Sequence, residues 1–379
     1  MKFIHLSDLH IGKRVNEFSM IEDQQYIFKQ ILGIIREESP DAVIIAGDVY
    51  DRSLPPIDAV TELDDFIFEL SKEDFDTFII SGNHDSAERI AFGARIMSKS
   101  GIHLSPIYSG KIEPVTLNDE FGEVNIYMLP FIKPFHVKNA FPDKADEIDT
   151  YTDAVRIAVE NMNVDTSKRN IIVSHQYVTG AVRSDSETSV GGTDNVDYCV
   201  YDPFDYVALG HIHSPQKIAD LDHIRYCGTP LKYSFSEKTD KSVSVVEMSE
   251  KGTPVIVREI TLKPLRNMKV IEDTFENLCK DSLYSDDYIC AILDDEYEVQ
   301  NAMGKLRNVY PNIMELRYSK NESSNRDVSI SGVDVEKKSS LELFGDFFKI
   351  KQGRELGDEE KAYMENLISE IEEEENATD

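Results

Sequence analysis

Five short segments in the first 213 residues each close an apolar run with side chains that ligate metals or move protons. They are Asp8-Leu9-His10, Gly47-Asp48-Val49-Tyr50-Asp51, Gly82-Asn83-His84-Asp85, Ser174-His175 and Gly210-His211-Ile212-His213. The runs before them, residues 3–6, 43–46, 78–80, 171–173 and 206–209, read as strands. In open α/β sheets ligands bind beyond the carboxyl ends of the strands, so five strand ends would deliver Asp, Asn and His side chains to one place. That set suits two divalent cations and a phosphate ester. Hydrolysing such an ester at neutral pH needs a hydroxide nucleophile and neutralisation of charge on the non-bridging oxygens, and two ions about 3.5–4 Å apart supply both. Asp48, at the tip of the second strand, is the natural bridging carboxylate.

The motifs resemble those of the calcineurin-like metallophosphoesterase superfamily, in the pattern D-x-H, G-D-x-x-D, G-N-H-D, strand-borne His and G-H-x-H. A closer resemblance is to the SbcD family, the nuclease subunits of bacterial SbcCD complexes, related to the archaeal and eukaryotic break-repair nucleases. It is carried by Ser7-Asp8-Leu9-His10-Ile11-Gly12, Gly47-Asp48-Val49-Tyr50-Asp51-Arg52 and Tyr206-Val207-Ala208-Leu209-Gly210-His211-Ile212-His213. The run Tyr226-Cys227-Gly228-Thr229-Pro230-Leu231-Lys232-Tyr233-Ser234-Phe235 adds to it, with Thr229 where that family usually has Ser. The likeness is dense over residues 1–245 and thins beyond.

The resemblance implies a ligand set. Asp8, His10 and His213 would hold one metal and Asn83, His175 and His211 the other, with Asp48 between them. His84 would face the scissile phosphate without ligating, and Asp85 beside it would orient the ring and favour its protonated form. Asp51 matches a position that is His in some relatives. Two ions bring four positive charges and Asp8 and Asp48 return two, so the site stays cationic. Imidazole and carboxylate ligands suit Mn²⁺, Fe²⁺ or Zn²⁺ alike; the resemblance points to two Mn²⁺. It further implies an ATP-dependent double-strand exonuclease and single-strand or hairpin endonuclease in DNA repair, recombination and replication. ATP would be used by an SbcC-type coiled-coil ATPase partner, with this chain a homodimer inside a heterotetramer. A stand-alone phosphatase or cyclic-nucleotide phosphodiesterase is the alternative reading of the same site. Lys13, Arg14 and Arg52, just after the first two motifs, are candidates for contacts to the DNA backbone.

The formal net charge of −31 is unusual for a protein that grips DNA by itself. Distant surface charge is screened within about 8 Å at physiological salt, so the local cationic site still holds a phosphate, and a partner would supply most of the DNA grip. Part of the acidity sits in the tail at residues 370–375. Among 379 residues, 41% are hydrophobic, no 18-residue apolar run occurs, and the start enters a strand directly. Cys199, Cys227, Cys279 and Cys290 lack C-x-x-C spacing and read as reduced, mostly buried thiols. The expectation is a cytoplasmic protein with no membrane association. His5 reads as packed inside the first strand; His103, His136 and His223 fall outside the motifs and are expected on the surface or in loops.

Apolar spacing predicts a helix over residues 20–38 with Ser19 as its N-cap, and Pro55-Pro56 opens a second through Val60, Leu63, Ile67 and Leu70. Right-handed βαβ units follow, then strands at 124–129 and 242–246. The residues alone give mixed α/β; the family implies a four-layer α/β/β/α sandwich over residues 1–260. Residues 261–318 read as a small α+β unit, with strands at 268–271, 288–293 and 313–318 and helices at 274–280 and 297–309, matching the family's capping domain. Residues 319–338 read as a polar linker. Residues 339–379 read as a helix-loop-helix, carrying Leu341, Phe344 and Phe348, then Tyr363, Leu367 and Ile371, that would bind the ATPase.

Overall fold

The computed structural model describes residues 1–183, 194–280 and 285–319, and beyond them positions 344–345, 348, 356–357, 360–361 and 363–364. The expected linker and helix-loop-helix therefore lie almost wholly outside the described residues. One compact unit comprises Met1–Ile292 and Tyr297–Leu316; a second comprises Leu293–Glu296 and Arg317–Asp379.

The apolar runs form parallel strands because each is covered on both faces, the setting in which continuous Val and Ile runs replace alternation. Ala42–Ala46 is buried at every position and pairs in parallel with Lys2–Leu6 on one side and Asp76–Ile80 on the other. The first sheet runs in the order Ile256–Thr261, Ser242–Glu247, Lys2–Leu6, Ala42–Ala46, Asp76–Ile80, Ile102–Leu104. Its first two strands enter antiparallel. The second sheet runs Gln216–Ile218, Leu221–Tyr226, Tyr206–Gly210, Arg169–His175, Gly122–Leu129, Val115–Asp119, with its four central strands parallel.

Strand side chains alternate between faces, and that alternation builds the layers. Phe3, Ala42, Ile44, Phe78 and Ile80 of the first sheet share one cluster with Ile126, Ile171, Val173 and Ala208 of the second, so the two sheets pack face to face. The intervening residues Ile4, Leu6, Val43, Ile45 and Ile79 turn outward onto Ile27, Phe28, Ile31 and Phe66, on helices Ile21–Glu38 and Ile57–Leu70. Phe28 and Phe66 stack there with ring centroids 4.8 Å apart. On the other side Ile172, Val207 and Leu209 pack on Ala154, Val155, Ile157 and Ala158 of helix Tyr151–Glu160. The order helix, sheet, sheet, helix is the four-layer sandwich.

Local details differ from expectation for identifiable reasons. Ser19 does not cap the first helix. It pairs in a short hairpin with Arg14, leaving Met20 in the cap position and only a 3.5 Å approach of Ser19 Oγ to the Ile21 amide. Pro56 does precede the second helix. His5 is buried with Nδ1 3.0 Å from the Tyr206 hydroxyl, as a packed strand histidine should be. His103, His136 and His223 are half-buried members of a strand, a helix and a strand rather than loop residues. His103 is placed there by a 2.7 Å contact with Asp76 and stacking on Phe78. Cys227 and Cys290 are buried, Cys279 partly and Cys199 exposed, all as free thiols.

Gly33 sits inside helix Ile21–Glu38 with nothing within 4 Å of an added Cβ. Glycine in a helix interior costs about 0.5–1 kcal/mol relative to alanine. Gly33→Ala is therefore expected to stabilise the protein by about that amount in urea unfolding.

Strands Met268–Asp273, Tyr288–Leu293 and Ile313–Tyr318 form a three-stranded sheet with helices Phe275–Lys280 and Ala302–Leu306. The second helix is shorter than its apolar pattern because Asn301 adopts a left-handed backbone (φ 53°) that starts the helix late. Met268, Tyr288 and Met314 join the cluster around the first helix. Asp23 of that helix accepts from the Tyr288 hydroxyl at 2.7 Å and pairs with Arg266 at 2.8 Å.

Candidate metal centre

The five motifs occupy the turns that follow Lys2–Leu6, Ala42–Ala46 and Asp76–Ile80 and the ends of Arg169–His175 and Tyr206–Gly210. These turns are tightly wound. Asp8, His10, Asp48 and His211 have φ of 52°, 45°, 47° and 112°, a region that costs a non-glycine residue of order 1–3 kcal/mol. Backbone bonds hold the first two turns together: the Asp8, His10 and Ile11 amides donate to Gly47, Asp48 and Val49 carbonyls at 3.0, 2.9 and 2.9 Å. Gln24, reaching in from the first helix, donates to the His10 and Leu9 carbonyls at 2.8 and 3.3 Å and accepts from the Gly12 amide at 3.0 Å.

The ligand-type side chains converge. Donor atoms of Asp8, His10 and His213 lie within 4.8 Å of one another, as do those of Asp8, Asp48 and His175, and those of His10, Asp48 and His84. Asp48 Oδ2 lies 3.4 Å from His175 Nε2, 3.7 Å from His10 Nε2 and 4.0 Å from His84 Nε2, so it stands between the two sets. Asn83 Oδ1 lies 3.0 Å from both His175 Nε2 and His211 Nδ1. His10 Nε2 and His213 Nε2 are 3.2 Å apart. Except for Asn83, His84 and His211, these groups are buried.

The donor set fits cations. His175 Nδ1 donates its proton to the Ala46 carbonyl at 2.8 Å. A neutral ring then turns a lone pair at Nε2 toward the oxygens of Asn83 and Asp48. Lone pairs so crowded repel unless positive charge lies among them. The electrostatics show the same demand. Burial works against a charged His175, yet the Asp48 carboxylate outweighs it and raises the pKa to about 9. Burial likewise pushes Asp48 up, but the His175 charge and hydrogen bond hold it well below the usual carboxylate range. Burial keeps His10 far below 6.5, and burial with His175 lowers His211 to about 3, leaving both rings neutral and free to ligate. Burial raises Asp8 to about 6. His10 Nδ1 is buried with no hydrogen-bond partner among the described residues.

One role read from the sequence changes. Asp85 does not touch the His84 ring. Its carboxylate accepts from the Val49, Tyr50 and Gly82 amides at 3.0, 2.8 and 2.9 Å, clamping the second motif to the third. The His84 ring is oriented by the Asp51 backbone oxygen, to which Nδ1 donates at 2.9 Å, while the His84 amide donates to Asp48 Oδ1 at 2.9 Å. The Asp51 carboxylate lies 2.7 Å from Lys13 Nζ and 3.7 Å from Arg52, with His10 Nδ1 at 3.8 Å. Lys13 is thus engaged at the site, whereas Arg52 is exposed and Arg14 bonds the Glu17 carbonyl at the surface. Gln24 also belongs to the site, through its bonds to Leu9, His10 and Gly12, and carries no signal in the sequence.

Residues 1–215 match the family model described as calcineurin-like phosphoesterase. The chain belongs to the calcineurin-like phosphoesterases. Residues 264–352 match a second model, described as the type 5 capsule protein repressor C-terminal domain. Among curated relatives, the SbcD component of the nuclease SbcCD from Staphylococcus saprophyticus is 32% identical over 383 residues, covering 99% of each chain. This phosphoesterase is therefore a member of the SbcD family. A dimetal phosphatase from Danio rerio is a structural neighbour, with 12% identity and a TM-score of 0.42, covering 70% of this chain and 98% of that one.

Proposed function

We propose that this chain is a metal-dependent phosphodiesterase acting on DNA, the nuclease subunit of an SbcCD-type complex. The observation that carries the reading is the convergence of Asp8, His10, Asp48, Asn83, His175, His211 and His213 at one set of strand ends. Asp8, His10 and His213 would hold one ion and Asn83, His175 and His211 the other, with Asp48 shared. When bound, two divalent ions supply a deprotonated water and neutralise charge on the phosphate. The chain's own residues do the rest. Asp85 and Gln24 fix the turns. The half-exposed His84, with Nδ1 committed to the Asp51 carbonyl, presents Nε2 to the phosphate and carries the proton to the leaving oxygen. Arg14 and Arg52 are exposed enough to meet flanking phosphates.

The donor chemistry favours Mn²⁺, because Mg²⁺ prefers an all-oxygen octahedron and keeps its waters, whereas this set offers four imidazoles. We expect labelled DNA to be hydrolysed with Mn²⁺ and barely with Mg²⁺ alone, measured with and without an SbcC-type ATPase. Robust cleavage in Mg²⁺ alone would defeat the ligand assignment. The ATPase would use ATP and supply most of the DNA grip, given the net charge of −31. Residues 339–379 would dock on it, and the three-stranded unit after residue 261 would cap the site. Four free thiols fit a reducing, cytoplasmic setting. Among the described residues no helix is long and apolar enough to cross a membrane.

A homodimer is supported by exposed apolar side chains on the segments after the second and third motifs: Leu54, Ile57, Val60 and Phe68, then Phe92 and Ile96. Ile57 and Phe92 are each 83% exposed. Each such group gains about 1.5–3 kcal/mol on burial, so covering several of them in a contact between two copies would stabilise a dimer. The double variant Ile57→Glu, Phe92→Glu is expected to be monomeric by light scattering at concentrations where the native chain is dimeric.

A further inference from the structure

A glutamate and a lysine beneath the metal centre are buried together without a part in the chemistry described so far. The Glu237 side chain is fully buried and that of Lys241 is 4% exposed. Lys241 Nζ lies 2.5 Å from Glu237 Oε2 and donates to the His213 carbonyl at 2.7 Å. Glu237 Oε1 accepts from the Tyr233 amide at 3.2 Å and faces His213 Nδ1 at 3.6 Å. The other ring nitrogen, His213 Nε2, is the one that meets His10 Nε2 at 3.2 Å inside the cluster.

Taking two charges out of water is costly unless each is compensated. Here Lys241 neutralises Glu237 and also grips the backbone of His213, so the pair holds the main chain of that residue and sets a carboxylate beside its ring. A metal-ligating imidazole needs its second nitrogen protonated and held, which sets the tautomer and raises ligand basicity. We infer that Glu237 is a positioning residue of the metal site: it accepts a hydrogen bond from His213 Nδ1–H and thereby turns the Nε2 lone pair toward the ion shared with Asp8 and His10. Lys241 holds the carboxylate in place. The inference rests on the metal-site reading above and names which of its two positions depends on Glu237.

The test is a calorimetric Mn²⁺ titration of the full-length chain and its Glu237→Ala and Glu237→Gln variants. The alanine variant is expected to keep one position at native affinity and to lose roughly 10–100-fold at the other, the usual effect of removing such a partner. Glutamine, whose side-chain oxygen still accepts a hydrogen bond, is expected to recover most of that loss. Two unchanged affinities in a folded Glu237→Ala chain would overturn the inference, and so would an equal loss in both variants. Because the alanine variant can fail to fold, the tautomer of His213 is also read in the native chain by ¹⁵N NMR with histidine labelling. The Nδ1–H form is expected; the Nε2–H form overturns the proposal. A native chain that takes up no Mn²⁺ in the control titration would instead defeat the metal-site reading itself, and the tautomer measurement would still decide the role of Glu237.

Discussion

Asp48→Ala is expected to empty at least one metal position and abolish hydrolysis, while His84→Ala keeps both ions and loses about 10²–10⁴-fold in rate. The two residues are neighbours, with Asp48 Oδ2 and His84 Nε2 4.0 Å apart, yet their surroundings assign them different work. Asp48 is buried, lies within 3.7 Å of imidazoles from both ligand sets, and is held ionised by His175 against its burial. Without it, the two ligand sets lose the carboxylate that lies close to imidazoles of both. Its Oδ1 also fixes the His84 amide, so the third turn loosens too. His84 is at the surface of the site with its side chain 40% exposed, anchored through the Asp51 carbonyl. Truncating it removes a proton donor and leaves the ligands untouched. Elemental analysis alongside DNA hydrolysis separates the cases; equal metal loss in both variants would show that His84 is a ligand.

Gly210→Ala is expected to damage the site almost as severely from behind. An added Cβ would stand 1.9 Å from the Ala46 carbonyl oxygen and 2.7 Å from His175 Nδ1. Those two atoms form the hydrogen bond that sets the His175 tautomer. A methyl group there must part strands Tyr206–Gly210 and Ala42–Ala46 or expel the imidazole. Overpacking costs about 1–3 kcal/mol, and losing the partner of a ligating histidine costs roughly 10–100-fold in metal affinity. Thermal unfolding and Mn²⁺ titration should both register the change. A Gly210→Ala chain with native melting and native metal affinity would mean that these strand ends are not packed as described. Gly33→Ala, free of any such neighbour, is the matched control.

Much of the site was legible because its proposed ligands end apolar runs, and a run plus a polar terminus locates a strand end without knowledge of the tertiary fold. All seven proposed ligands come together on that logic. What escaped has a different physical origin. Gln24 lies on a helix whose pattern explains its apolar neighbours, and nothing local reveals that its amide reaches back to Leu9 and His10. Asp85 looked like the partner of the adjacent histidine, but its three amide donors come from two separate turns, a relation only the folded chain contains. Ser19 has the composition of a cap, yet strand pairing claims its backbone. The late start of the helix at Ala302 turns on one left-handed residue, Asn301, inside a periodic stretch. For Glu237 and Lys241 a signal existed, an i, i+4 acid–base pair closing a run dense in small and aromatic residues, but such pairs are ordinarily solvated.

These side chains are proposed to form a single centre for two ions. Anomalous diffraction from crystals of the full-length chain grown with Mn²⁺ tests it most directly. Two peaks about 3.5–4 Å apart are expected, one beside Asp8, His10 and His213, the other beside Asn83, His175 and His211, with the Asp48 carboxylate between them. A single peak, or peaks that leave Asp48 without contact to either ion, would contradict it.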